Sequence, residues 1–419
     1  MMSDLVFLAH RMPYPPDKGE KIRAYHALRH FAGRFRVHLG CLVDDREDEK
    51  HLPQLREICV SVRAVPLNRL FATARSGFGI ALGGSISENY FRDVRLTSWL
   101  ADTVGRFRPE GIFVFSSAMA PYAIPYASSH RVVVDMVDVD SEKWRAYGMR
   151  TQWPMNRLYA REAHKLLALE RKAAKFFEHS LFVSRAERDL FHSLAPESTS
   201  RIGYYENGVD LDYFSPAHSF GNPFGGKTAI VFTGTMSYRP NVEAVEWFAR
   251  RVFPRIRARH SKAEFWIVGA NPASAVARLS RLPSVRVTGR VADVRPYLAH
   301  AACVVAPLFM ARGVQNKILE AMAMARPVVV TSAACEALSP FARQDLLLAN
   351  ETEFADAVTS VLTGEHADLG RRARARVEQE HRWSRNLQFL DGLFRCDEPS
   401  AIGKEPAVSD ALAPAKGYL

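Results

Sequence analysis

The segment 312–323, RGVQNKILEAMA, places a cation and a carboxylate three residues apart, Lys317 and Glu320. Apolar spacing predicts a helix from about Val314 or Gln315, and residues i and i+3 share one face of it. The unsatisfied amides of a first helical turn, carried here by Gly313, Val314, Gln315 and Asn316, add positive potential beside Lys317. That combination suits a nucleotide diphosphate, with Lys317 neutralising phosphate and Glu320 accepting ribose hydroxyls. On an ordinary amphipathic helix the same pair is a weak surface ion pair.

Three other loops combine chemistry-bearing residues. In 233–241, TGTMSYRPN, Gly234 lets the backbone approach a phosphate, the helix starting near Asn241 aims its amides at it, and Arg239 adds a cation. The segment lacks the G-x-G-x-x-G and G-x-x-x-x-G-K-[ST] fingerprints, which disfavours a nicotinamide cofactor and a P-loop nucleotidase. In 10–23, HRMPYPPDKGEKIR, Gly19 precedes a helix from about Lys21, with Arg11, Lys21 and Arg23 around it. In 135–141, DMVDVDS, the carboxylates Asp135, Asp138 and Asp140 suit a general base, a binder of sugar hydroxyls or a metal ligand. Alternatively Asp138 or Asp140 caps a helix over 141–147.

Such loops need a scaffold that presents them together. Short runs rich in Val, Ile and Phe predict strands at 5–9, 37–42, 111–115, 131–134 and 180–183, then at 228–233, 264–268, 285–288, 302–306 and 327–330. Each precedes a longer segment of helical period, so the fold class is α/β with parallel sheets covered on both faces. In such sheets ligands bind beyond the carboxyl ends of the strands, where all four segments fall. The stretch 215–227, SPAHSFGNPFGGK, reads as a linker between domains 1–214 and 228–380. A helix over about 381–396 is expected to pack back on the first domain, and 397–419, rich in Pro, Ala and charge, reads as a disordered tail.

The 419 residues hold 56 Lys and Arg against 45 Asp and Glu, a net charge of +11 that points to anionic partners. The run RRARAR at 371–376 comes without any RRM, KH or helix-turn-helix signature, so no nucleic acid is expected. Five scattered cysteines without ligand spacing argue for a reducing compartment and against a zinc site. No secretory leader or membrane-spanning run is read. Between 143 and 175, nine Lys and Arg face two Glu, interleaved with Trp144, Tyr147, Trp153 and Tyr159, and 67–91 is apolar with spaced arginines. These segments suit either an anionic membrane surface or core-packed helices with a solvated basic face.

With the motifs in place, the chain resembles GT-B glycosyltransferases of family 4, the glycosyl transferases group 1. The run EAMAMARPVVV at 320–330 resembles their E-x7-E, EAMA-x-G-x-PVV pattern, and Asn207-Gly208-Val209-Asp210 with Phe214-Ser215-Pro216 matches their NGVD-x3-F-x-P signature. Closer still is the resemblance to sugar transferases associated with PEP-CTERM exopolysaccharide systems, through HRMPYPPDKG, DMVDVDSEKW and RGVQNKILEAMAM. It extends over nearly the whole chain. Three departures stand out: Arg312 occupies the place of the first glutamate of E-x7-E, Ala325 that of the glycine after EAMA-x, and the Asp135–Asp140 cluster that of the catalytic histidine which many members carry after a strand of the first domain.

The resemblance implies a GT-B fold, two Rossmann-like domains facing a central cleft. It implies sugar transfer from a UDP- or GDP-linked donor to a glycan or lipid-linked acceptor, with retention and no cofactor or metal, in cell-surface polysaccharide synthesis. The site residues it implies are Asp138, Asp140 and Lys317 in catalysis. The donor would meet Gly234, Arg239, Arg312, Gly313, Val314, Gln315, Asn316, Lys317 and Glu320, and the acceptor Arg11, Gly19, Lys21, Arg23 and Asp135. The implied location is cytoplasmic, with peripheral contact at the inner face of the plasma membrane. A GT-B-fold nucleotide-sugar epimerase or a non-catalytic scaffold is the alternative.

Overall fold

The computed structural model describes residues 2–394 except Lys18, Leu82 and Arg312. Thirteen strands are assigned, β1 (Asp4–Ala9), β2 (Arg36–Val43), β3 (Ser61–Pro66), β4 (Gly111–Phe115), β5 (Arg131–Val137), β6 (His179–Phe182), β7 (Ile202–Tyr204), β8 (Thr228–Thr233), β9 (Ala263–Val268), β10 (Val285–Gly289), β11 (Cys303–Ala306), β12 (Val328–Val330) and β13 (Leu347–Leu348). They form two sheets, in order β3-β2-β1-β4-β5-β6-β7 and β10-β9-β8-β11-β12-β13, parallel throughout. The helices that bear on the site are α1 (Gly19–Ala32), α2 (Arg69–Ala81), α3 (Asp140–Met149), α4 (Met155–Phe176), α5 (Arg239–Trp247) and α6 (Asn316–Ala323).

The inner strands of each sheet are buried on both faces, which is why they read as continuous apolar runs. In β1, Val6 and Leu8 enter one core, whereas Leu5, Phe7 and Ala9 enter the other. That second core is completed from the far end of the chain by Trp383, Leu387, Leu390, Leu393 and Phe394. Phe394 lies so close over β4 that a β-carbon on Gly111 would fall 2.4 Å from its ring. The segment expected at 397–419 lies outside the described residues. Chain order reverses between β1 and β4 in the first sheet and between β8 and β11 in the second. The loops after β1, β8 and β11 therefore open where ligands bind in such sheets.

The strand expected to end at 134 continues through Val137, so Asp135 is an internal strand residue and not the first of a loop. Strands β3 and β7 carry no continuous apolar run, and β13, two leucines of the short run 346–349, is too brief to read as a strand, so sequence reasoning finds none of the three. Ala325 takes φ 52°, the left-handed conformation that its glycine counterpart would adopt without strain.

Candidate active site

The loop after β8 and the start of α6 meet at Lys317. Gly234 takes φ 146°, and a β-carbon there would lie 2.8 Å from Asn241 Nδ2 and 3.1 Å from Lys317 Nζ, so only glycine leaves room for the convergence. Buried Asn241 donates Nδ2 to Thr235 O at 2.9 Å and accepts Lys317 Nζ on Oδ1 at 2.5 Å. The ammonium also sits 4.3 Å from the centroid of the Phe232 ring. Burial pushes Lys317 down to about 7, with Glu320 opposing, and pushes Glu320 up to about 7, with Lys317 opposing. Both groups are thus half-discharged near neutrality, and an anion against Lys317 would restore its proton.

Helix α6 begins at Asn316, later than expected, because Gly313 at φ 61° turns the chain into it. Gln315 is its N-cap and its Nε2 donates to Gly313 O at 3.4 Å. Val314, expected at the donor, points its side chain into the core of the second sheet, which leaves only its backbone for a ligand. Arg312 lies outside the described residues. Arg239 is not drawn to Lys317: its guanidinium is exposed and pairs with Glu243 on its own helix at 2.8 Å.

Facing this loop stands Asp138. A β-carbon on Gly313 would fall 2.6 Å from Asp138 Oδ1 and 2.9 Å from Val183 Cγ1, so the α6 loop passes directly over the carboxylate. Asp138 Oδ1 is buried without a hydrogen-bond partner. Burial pushes the carboxyl up to about 7, Glu187 and Asp140 adding and Lys143 and Arg23 opposing. A group so poised can take or give a proton near neutrality.

Two carboxylates leave Asp138 and Asp140 free of the capping role. Val139 N donates to Glu187 at 2.8 Å, and Ser141 N and Oγ donate to Glu170 at 3.1 and 2.5 Å. These satisfy the start of α3 from other elements, and no side chain of 138 or 140 is needed there. Burial pushes Glu170 up to about 8. Asp140 instead accepts from Ser117 Oγ at 3.1 Å and lies 3.9 Å from Lys143 Nζ.

The backbone just before Asp138 is strained. Val137 takes φ 68°, rare for a β-branched residue, and the register of β5 against β6 slips at the same point. Asp138 N reaches back to Met136 O at 2.9 Å, closing a three-residue turn on Val137. The turn lifts Asp138 out of the strand alternation toward Gly313. Val137→Gly is expected to change stability by less than about 1 kcal/mol, because relief of this strain offsets the lost packing of the side chain against both cores and the entropy of glycine in the unfolded chain, while turnover falls as Asp138 loosens. Urea unfolding and rate measurements on the same variant check both, and a gain in turnover would contradict the positioning role of the turn.

Around this centre the first-sheet residues divide. Arg11 pairs with Glu20 and, at 3.1 Å, with Asp44, and Gly19 is the exposed first residue of α1. Lys21, expected at the acceptor, is corrected: it is 1% exposed and held by Asp48 at 2.6 Å and Asp17 at 3.5 Å. Arg23 and Asp135 are corrected likewise. Both are fully buried and bonded to each other at 2.8 and 3.2 Å, so they present no free atom to a ligand.

Sequence reasoning missed Lys143 by assigning it to a basic surface. Burial alone would lower its ammonium, but Asp140 and Asp138 outweigh it and hold it above the usual lysine range. Its i, i+3 spacing from Asp140 was the signal available. Tyr238, after β8, hydrogen-bonds Tyr147 of α3 and adds a further contact between the two sheets' loops. His10, buried beside Glu20 at 4.0 Å, is held below its usual pKa by that burial.

Comparison with known proteins adds to this geometry. Residues 227–364 match the family model for glycosyl transferases group 1. The matched segment holds β8, α5, β11 and α6, and so every residue described around Lys317. Many solved structures are similar over the chain's length, among them the following three. Anabaena Alr3699/HepE in complex with UDP and glucose shares 13% identity at TM-score 0.64, over 93% of this chain and 98% of its own. Sucrose-phosphate synthase from Thermosynechococcus elongatus shares 14% at TM-score 0.69, over 94% and 98%. WaaG, a glycosyltransferase involved in lipopolysaccharide biosynthesis, shares 12% at TM-score 0.63, over 94% and 100%. The likeness is one of fold, and the fold is GT-B. No curated protein matches the chain.

Proposed function

We propose that this protein transfers a sugar, with retention, from a UDP- or GDP-linked donor to a glycan or lipid-linked acceptor, as a family 4 glycosyltransferase of PEP-CTERM-associated exopolysaccharide synthesis. The observation that carries the reading is the convergence of Lys317, Glu320, Gly234 and the first turn of α6 opposite Asp138. Departure of the nucleoside diphosphate builds negative charge on its phosphates, and preformed cationic and amide donors stabilise that charge. Lys317 and the amides at 313–316 supply them without a cofactor or metal. Glu320, one turn on, takes the ribose hydroxyls. Asp138 and Asp140, with Lys143, Arg11 and Gly19 nearby, form the acceptor side. A panel of UDP-, GDP- and ADP-sugars assayed for transfer and hydrolysis tests the reading, and no turnover of any donor would favour a scaffold.

The two half-discharged groups make nucleotide binding pH-dependent. Above pH 7 free Lys317 loses its proton, binding a diphosphate must take one up, and affinity falls toward pH 9. Below pH 7 free Glu320 gains a proton that the ribose contact must expel, and affinity falls toward pH 5. Each limb is limited to about tenfold per pH unit. Calorimetry with UDP and with GDP from pH 5 to 9 is expected to show a maximum near pH 7, and a flat profile would count against the assignment.

Peripheral membrane contact belongs to the same reading, for a cytoplasmic enzyme at the inner face of the plasma membrane. No helix among the described residues is long and apolar enough to cross a membrane. On α2, Leu70, Phe71 and Phe78 are exposed, as are Met149 and Trp153 at the turn between α3 and α4. These apolar groups, with Arg69 and Arg157 exposed beside them, replace Lys143 as the surface that would meet anionic lipid. Flotation with anionic liposomes at low and high salt tests it.

A further inference from the structure

The buried Arg23–Asp135 pair does more than join α1 to β5. All five guanidinium N–H groups are used: Nε and Nη2 on Asp135, Nη2 also on Phe182 O at 3.3 Å, and Nη1 on Tyr205 O at 3.0 Å and on Asn207 Oδ1 at 2.9 Å. Asn207 then donates Nδ2 to Asn316 Oδ1 at 3.0 Å. This single chain of bonds runs from the middle of the first sheet to the first residue of α6.

The polarity of the chain is forced. Arginine only donates, so Asn207 must turn its oxygen to Arg23 and its NH2 to Asn316. Asn316 must then answer with its oxygen, which leaves its own Nδ2 on the opposite side. That Nδ2 is buried without a partner, 3.7 Å from where a β-carbon on Gly19 would sit, at the seam between the α1 loop and α6. A buried amide donor without a partner costs stability unless something accepts from it.

The backbone of Asn207 is equally fixed. Its carbonyl accepts from His381 Nδ1 at 3.1 Å and Asn386 Nδ2 at 3.2 Å, and a β-carbon on Gly208 would fall 2.5 Å from Trp383 N. Val209 N donates to His381 O at 2.8 Å. Both passages of the chain between the sheets meet here, so the Asn207 side chain is a strut held at backbone and tip.

We propose that Asn207 is a positioning residue that orients the Asn316 amide, presenting Asn316 Nδ2 as a hydrogen-bond donor to an oxygen of the bound nucleotide sugar at the Gly19 seam. The site in question is that of the proposed function, and the inference rests on that reading. Asn207 touches no ligand itself. Its chemistry sets which end of Asn316 faces the substrate.

The consequence is an unusual effect of an isosteric change. Asn207→Asp keeps an acceptor for Arg23 but offers Asn316 only oxygen, so the Asn316 amide turns over and shows its own oxygen to the substrate. Asn207→Asp is therefore expected to weaken binding of UDP-glucose or GDP-mannose, used as calorimetric probes, by roughly ten- to a hundredfold, as much as Asn316→Asp. The double variant is expected to be no weaker than either single one, since both invert the same contact. Wild-type affinity in Asn207→Asp, or fully additive losses, would overturn the proposal. Thermal unfolding of each variant separates lost binding from lost fold.

Hydrogen exchange reads the strut without any nucleotide. In Asn207→Ala, amides of 316–323 are expected to exchange faster while those of β1 and β8 hold their rate. Unchanged exchange in α6 overturns the proposal on its own. If the wild-type chain binds neither probe, the proposed function fails, and the exchange experiment still decides whether Asn207 anchors α6.

Discussion

Lys317→Met is expected to lower turnover of the active nucleotide sugar by ~10²–10³-fold with the fold intact. The ammonium lies in a recess formed by Gly234, Asn241 and Phe232, where water screens it little. An electrostatic donor in such a place acts most strongly on charge that develops during the reaction, so the loss should fall on kcat more than on KM. Methionine keeps an unbranched side chain of similar length and removes the ammonium, with both its charge and its hydrogen bond to Asn241 Oδ1. Burial already holds the amine down near 7, so losing that charge relieves a desolvation cost that offsets the stranded Asn241 acceptor, and the variant should stay within about 1–2 kcal/mol of the parent. Steady-state kinetics with thermal unfolding on the same sample check both halves. Wild-type turnover would remove Lys317 from the mechanism.

The largest stability effect is expected at Arg23. Arg23→Ala strands the Asp135 carboxylate, which is fully buried and, among the described residues, otherwise receives only the Tyr205 hydroxyl and Val137 N. Breaking one partner out of such a pair costs about 3–5 kcal/mol. Stacking adds to this, since the guanidinium carbon sits 3.5 Å from the centroid of the Tyr205 ring. Replacing both partners by apolar residues, Arg23→Met with Asp135→Leu, should recover much of the loss, because no charge is then left unpaired. Urea unfolding of the two variants makes the comparison. A loss below about 1 kcal/mol in Arg23→Ala would mean the pair acts as a surface ion pair does, against its burial.

The sequence carried the scaffold and the second-sheet half of the site better than the first. Apolar runs mark strands buried on both faces, so β1, β4 and β8 were legible almost to the residue, whereas β3, half-buried along its length, left no such run. Lys317 and Glu320 were legible because one helix carries both. Asp138 was legible as a candidate, but its freedom from capping was not, since Glu170 and Glu187 that cap α3 in its stead come from other elements. Arg23 misled for the same reason: its partner Asp135 is 112 residues away. A cation near a strand–helix turn looks like a ligand contact until the packing shows an internal carboxylate. Lys143 erred in the opposite direction, since charge counted over a window does not say which side of a helix faces the cleft.

The last described residues, Trp383 to Phe394, belong to the core of the first sheet. During synthesis the ribosome therefore releases β1 to β7 long before the side chains that cover one face of that sheet exist. The second sheet, whose core draws mainly on residues 224–377, has its covering complete earlier. The order of maturation is thus expected to run against the order of translation, with the N-terminal half last to close. A shortened product ending before 383 would leave Phe31, Phe113 and Gly111 open to water and to self-association.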